Sequence, residues 1–172
     1  MDTRLVSGLF TLVLVVVALG LIWLGWRNRL KRQSDVAALP ALPEDPGTAM
    51  ASSEGQYVSS TTAGDWLDRI AVHSLGIRTN ATLSVHPDGV LYLRSGAPDI
   101  FIPASQLTGV RKDSGMTGKF VEKDGLVIVS WILGTHELDT GFRSRSSTDR
   151  DSIFDALQEL IAAASADPAS GK

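Results

Sequence analysis

Apolar residues along this chain run continuously near the start, thin out through a short middle stretch, then alternate with polar ones until a final helical stripe. From Leu5 to Trp26 the sequence reads LVSGLFTLVLVVVALGLIWLGW, twenty-two residues without a charge. As a helix this run is about 33 Å long, enough to cross a hydrocarbon core of about 30 Å. A helix satisfies its backbone groups internally, so such a run can lie in lipid where a loop cannot. Trp23 and Trp26 close it, at the depth where amphipathic rings favour the headgroup zone. RNRLKR follows at once, placing Arg27, Arg29, Lys31 and Arg32 on the C-terminal flank. The positive-inside rule then puts that flank in the cytoplasm and the N-terminus outside, in the plasma (inner) membrane. A cleaved signal peptide has a shorter apolar run and a small-residue site just beyond it. Here the Ala-x-Ala match, Ala49–Met50–Ala51, lies more than twenty residues downstream. The expectation is a single-pass anchor over residues 1–32.

Residues 33–55, QSDVAALPALPEDPGTAMASSEG, lose the apolar run, and Pro40, Pro43 and Pro46 interrupt any helix. They read as a disordered linker with a reach of about 25 Å. After it the period becomes two. Gln56–Thr62 reads as a first strand, and GDWLDRIAVHSLG as a short helix with Trp66, Ile70, Ala71 and Leu75 on one face, capped by Asp65 and ended by Gly76.

From residue 79 strands dominate. Ala81, Leu83 and Val85 alternate with polar residues, and Asp88–Gly89 supplies a hairpin turn into Val90–Arg94. Shorter strands are expected over Asp99–Ile102, Leu107–Arg111 and Phe120–Glu122. Leu126–Leu133, LVIVSWIL, is apolar on both faces and reads as the most buried strand. In HELDTGF, Leu138, Thr140 and Phe142 share a face. Thr148, with Asp151 three residues on, reads as the N-cap of a last helix. Its stripe is Ile153, Phe154, Leu157, Leu160, Ile161 and Ala164, and Pro168 ends it before a tail over 167–172. An amphipathic helix after a curled antiparallel sheet buries its stripe against the open side of that sheet.

Three stretches carry a family resemblance: the anchor with RNRLKR, then YVSSTTAGDWLDRIAVHSLGIRTNATLSV, then LGTHELDTGF. With them the chain resembles small bacterial single-pass membrane proteins bearing a pleckstrin-homology-like domain, some of which carry export or transporter labels. The resemblance implies a seven-stranded, partly open antiparallel barrel capped by a C-terminal helix, here over residues 56–166. One uncharged helix without an ionisable group forms no transport path, so those labels are not taken literally.

Charge sharpens the division. Residues 1–32 hold five basic groups against one acid, while residues 33–172 hold eleven against eighteen. An acidic domain has no bulk attraction for nucleic acid or for anionic lipid. Lipid-binding pleckstrin-homology domains grip headgroups with basic residues between their first two strands. Here that region holds Asp65, Asp68, Arg69, His73 and Arg78, which argues against phosphoinositide binding.

No set of residues assembles into catalytic chemistry. The chain has no cysteine, which removes a thiol nucleophile and a thiolate zinc site. His73, His86 and His136 are scattered, and in a strand Glu137 and Asp139 face away from His136, so no metal or cofactor site is expected. No G-x-S-x-G occurs. SGMTGK lacks the Walker spacing, with Asp113 and Phe120 at the positions that need glycine and Ser or Thr. Arg111, Lys112, Lys119, Lys123, Arg143 and Arg145 read as solvated surface, and Trp131 as core.

The reading is therefore a membrane-tethered cytoplasmic module that binds a protein partner without catalysis. Trp66, Arg69 and His73 are the candidate partner surface, the last two one helical turn apart. Two alternatives stand beside it. One is an auxiliary subunit touching a membrane complex through its helix; the other is a small-ligand binder or enzyme using the barrel mouth.

Overall fold

The computed structural model describes residues 3–32, 36–120 and 122–166, and the chain divides into two compact units, 1–35 and 36–172. The expected linker residues 33–35, Val121 and the tail with Pro168 lie outside the described residues.

The first unit is one helix, α1 (Thr3–Arg32), which includes Leu5, Trp26 and the basic flank. Its segment Gly8–Gly25 has a mean hydropathy of 2.5, and none of it is buried inside the protein. It is long and apolar enough to cross a membrane. The Arg27 guanidinium sits 5.3 Å from the centre of the Trp23 ring, an aromatic–cation pair suited to a membrane–water boundary.

Among the described residues the second unit has nine strands: β1 (Ala51–Thr62), β2 (Thr79–His86), β3 (Gly89–Arg94), β4 (Ile100–Pro103), β5 (Leu107–Asp113), β6 (Gly115–Met116), β7 (Lys119–Phe120), β8 (Leu126–Leu133) and β9 (His136–Ser144). Helix α2 (Ser147–Ala166) ends the fold. Seven strands form one antiparallel sheet in the order β4-β3-β2-β1-β9-β8-β5, and β6 with β7 makes a small separate hairpin. This is the expected barrel, open between β4 and β5, which no ladder among the described residues joins.

One strand holds the two halves together. β1 pairs with β2 through Ala51–Tyr57 and with β9 through Gly55–Thr62, with a register shift between Tyr57 and Ser59. A bulge bends a strand and raises its twist, which turns the sheet from one wall into the other. The stripe of α2 fills the interior: Ile153, Ala156, Leu157 and Leu160 are buried with Tyr57, Tyr92, Phe142 and Trp131. Each large apolar side chain so buried contributes roughly 1.5–3 kcal/mol. β8 matches its expected bounds, and only Ile132 among its apolar residues is exposed.

Three expectations need correction. The stretch read as a linker over 33–55 is part of the domain from Val36 onward. Val36 is buried in the core, Leu39 packs against that core, and β1 starts at Ala51. Polar ties hold the segment: His73 Nε2 donates to the Val36 carbonyl at 3.3 Å, His86 Nδ1 to the Gly47 carbonyl at 3.1 Å, and Met50 N–H to the Val85 carbonyl at 2.8 Å. Prolines exclude a helix, but they leave an extended chain free to lie along a surface.

The helix expected over 65–75 does not form; the segment is a series of turns with a 3₁₀ turn at Val72–Ser74. Beyond Tyr57, β1 has no β2 partner, and this loop supplies the missing hydrogen bonds. Ser60 N–H donates to Leu75, Ile70 N–H to Ser60 and Thr62 N–H to Asp68 carbonyl oxygens, at 2.8, 2.9 and 3.0 Å. Those groups cannot also close helical rings. His73 and Ser74 have φ of 53° and 58°, a left-handed kink that ends any helical path.

The third correction is a cap. Ser146, two residues before Thr148, accepts the Asp149 N–H on its hydroxyl at 3.4 Å and the Arg150 N–H on its carbonyl at 3.1 Å.

Candidate functional site

The outward face of the β1–β9–β8–β5 wall carries an acid where alternation calls for nothing special. The register sets Thr61 opposite Asp139, Asp139 opposite Ser130, and Ser130 opposite Gly109. These residues lie in one row on one face. Arg111 reaches back along it: Nη1–H donates to Asp139 Oδ1 at 3.1 Å and Nη2–H to Oδ2 at 2.9 Å. Ser130 Oγ–H donates to Oδ1 at 2.6 Å and Gly64 N–H to Oδ2 at 3.3 Å. The Asp139 side chain is 5% exposed and that of Arg111 47%. Burial alone pushes the Asp139 carboxyl up, but the hydrogen bonds and charge of Arg111, with Ser130, outweigh it and hold the group below the ordinary carboxylate range.

Two loops wall this row into a cleft of about 390 Å³, lined by Gly64, Trp66, Arg111, Asp113, Ser114, Gly115 and Asp139. The 63–70 loop is one wall. Asp65 Oδ1 accepts the N–H groups of Leu67 and Asp68 at 3.1 and 3.3 Å, fixing a turn that carries Trp66 and Leu67, 44% and 62% exposed. The β6–β7 hairpin is the other wall, and Thr117 N–H donates to the Trp66 carbonyl at 2.9 Å, tying the two together. Beneath the hairpin Met116 packs with Val58, Leu126 and Ile128 in a second small core outside the barrel. Asp113 Oδ1 accepts the N–H groups of Ser114 and Gly115 at 2.6 and 3.3 Å, turning the chain from β5 into the hairpin.

The three residues expected as a partner surface are spread along the loop. Trp66 lines the cleft. Arg69 Nη1–H donates to the Gly76 carbonyl at 3.4 Å, and His73 faces Val36. The missed residues are Asp139, Ser130 and Asp113. The signal for Asp139 was an acid between Leu138 and Thr140 in a strand with buried neighbours.

The barrel interior holds a second polar chain. Trp131 Nε1–H donates to Thr140 Oγ1 at 2.8 Å, Thr140 and Ser60 share a hydrogen bond of 2.6 Å, Ser60 and Tyr57 one of 2.8 Å, and Tyr57 Oη–H donates to the Leu75 carbonyl at 2.7 Å. Burial pushes the Tyr57 phenol up to about 12. This chain orders the core. Among the described residues no group of three His, Asp or Glu side chains could hold a metal ion.

Comparison with known families settles the architecture. The bacterial PH domain-like family matches residues 36–158. The chain belongs to that family. The match begins at Val36, the first described residue of the second unit and a member of its core. Solved structures are more distant. The C-terminal domain of a Leishmania infantum protein is 11% identical, with a TM-score of 0.45 over 82% of this chain and 98% of its own. The C-terminal phosphotyrosine interaction domain of mouse APBB2 is 10% identical, with a TM-score of 0.47 over 78% of this chain and all of its own. The PH domain from TgAPH is 11% identical, with a TM-score of 0.40 over 61% of this chain and 79% of its own. No curated protein matches the chain.

Proposed function

We propose that this PH domain-like protein is a membrane-tethered binding module, which takes an extended segment of a cytoplasmic protein along β5 and carries out no catalysis. The observation that carries this is the free edge of β5. It pairs with β8 on one side, and no strand among the described residues pairs with the other. A strand edge offers a row of N–H and C=O groups to a partner chain. Two features flank it. On one side lies the Trp66 cleft; on the other lies α2, fastened to β5 by Lys112, whose Nζ is 2.8 Å from Asp151 Oδ1 and 4.6 Å from the Phe154 ring centre.

The anchor reading supports the tether. α1 has the length and apolarity of a membrane span, and the basic residues 27–32 favour a cytoplasmic domain at the inner membrane. A photo-crosslinking residue in place of exposed Thr108 on β5, used in intact cells, tests the edge. The expected result is a discrete protein adduct that persists when α1 is exchanged for an unrelated span. The same substitution at exposed Leu93 on β3 should give none. No adduct from Thr108, or equal adducts from both sites, would overturn the reading.

A further inference from the structure

The cleft beside β5 has a definite chemical preference. Its guanidinium is already paired: Arg111 puts both terminal nitrogens on Asp139, Nη1 also on Ser130, and turns Nε toward Asp113, 3.8 Å away. An incoming anion therefore meets two carboxylates and one cation whose charge Asp139 already balances. Asp139 is saturated by its own donors. Asp113 is not: its Oδ1 caps the turn, while Oδ2 lies beyond hydrogen-bond distance of Arg111, on a side chain 44% exposed. The lining charges are two acids against one base, and the Trp66 loop adds Asp65 and Asp68 against Arg69.

Two hydroxyls without a partner, each able to accept or donate, lie close to this charge. Among the described residues the Thr61 hydroxyl, beside Asp139 in the same row and on a residue 1% exposed, has no hydrogen-bond partner, and neither has the buried hydroxyl of Thr117 next to Trp66; both sit behind the cleft lining. The indole of Trp66 supplies a flat apolar wall, against which the stem or head of a long cationic side chain gains both burial and charge–quadrupole attraction.

We propose that this cleft receives the side chain of an arginine or lysine from the partner segment, its stem against Trp66 and its charged head on Asp113 Oδ2. The proposal rests on the reading of β5 as the partner-binding edge and names what the partner must carry there. An extended segment on β5 points alternate side chains to the outward face, where Arg111 and Asp113 already stand. One of those side chains enters the cleft.

The test uses the full chain in phosphatidylcholine nanodiscs, labelled with 5-fluorotryptophan at its four tryptophans, with the Trp66 resonance assigned by Trp66→Phe. N-acetyl-arginine amide and N-acetyl-lysine amide are titrated separately, with the norleucine and glutamate amides as controls. The expected result is a saturable shift of the Trp66 signal by one or both cations, with a Kd on the order of 10 mM for so small a probe. Asp113→Asn keeps the turn-capping oxygen and removes the charge; it should weaken binding by about fivefold or more. No saturable shift, an equal shift from norleucine or glutamate, or an unchanged affinity in Asp113→Asn would overturn the proposal. The Thr108 crosslink separates the two ideas. An adduct with no Trp66 response removes the cationic pocket alone, whereas loss of the adduct removes the edge reading beneath it.

Discussion

Arg111 holds Asp139 with two parallel hydrogen bonds, from a half-exposed guanidinium to a carboxylate with 5% of its side chain exposed. The asymmetry of exposure sets the energetics. The carboxylate has surrendered most of its water, so its stability depends on the donors that replaced it.

Arg111→Leu is therefore expected to destabilise the domain by roughly 1–3 kcal/mol, below the range for a fully buried pair because Arg111 is half in solvent. Urea denaturation at pH 7 measures it. A midpoint equal to wild type would show that Asp139 finds equal compensation without Arg111.

The same contact fixes a pH dependence. Asp139 titrates lower folded than unfolded, so its contribution is complete above the unfolded pKa of about 3.9 and is lost as pH falls through the folded value. Wild-type stability should drop between about pH 5 and pH 2, and Asp139→Asn should drop less over that window. Parallel curves would assign the acid sensitivity to other carboxylates.

Inside the barrel, Thr140→Val removes the hydroxyl that accepts the Trp131 indole N–H and bonds Ser60. Shape is nearly preserved, yet a buried donor loses its partner, at an expected cost of about 1–3 kcal/mol. Thermal unfolding of Thr140→Val beside Thr140→Ser, which keeps the hydroxyl, isolates the hydrogen bond from the packing.

The segment from Val36 to Met50 should resist proteases as the barrel does. Val36→Asp places a charge in the core and is expected to raise cleavage within that segment at least about tenfold while the sheet remains intact by circular dichroism. Equal cleavage of wild type and variant would mean that this stretch is not docked in solution.

Because the chain has no cysteine, Thr108→Cys gives a single thiol on the domain. A membrane-impermeant maleimide should label it in inverted inner-membrane vesicles and leave it untouched in intact cells. Labelling in intact cells would reverse the orientation.

Much of the fold was legible because its signals are local. LVIVSWIL announced β8, the stripe from Ile153 announced α2, and Asp88–Gly89 announced a hairpin. The loop after β1 misled because Trp66, Ile70 and Leu75 have helical spacing, yet Ile70 and Leu75 enter the core from a non-helical backbone while Trp66 stays outside. What decided it was the unpaired upper edge of β1, a tertiary demand that a short window of sequence does not express. The site was illegible for a related reason. Asp139, Ser130 and Arg111 sit on three strands, and only the register brings them together. The early β1 start and the docked stretch before it likewise depend on His73 and His86, far along the chain, meeting two carbonyl oxygens.

Both walls of the barrel hang from β1, and at Gly55, Gln56 and Tyr57 it is flanked by β2 and β9 at once. A methyl group at Gly55 would run into the Arg143 carbonyl oxygen and the Phe142 ring. Neither wall therefore has a spine of its own to fall back on. Loosening that short shared seam takes both down together, and the domain has no stable half to leave standing.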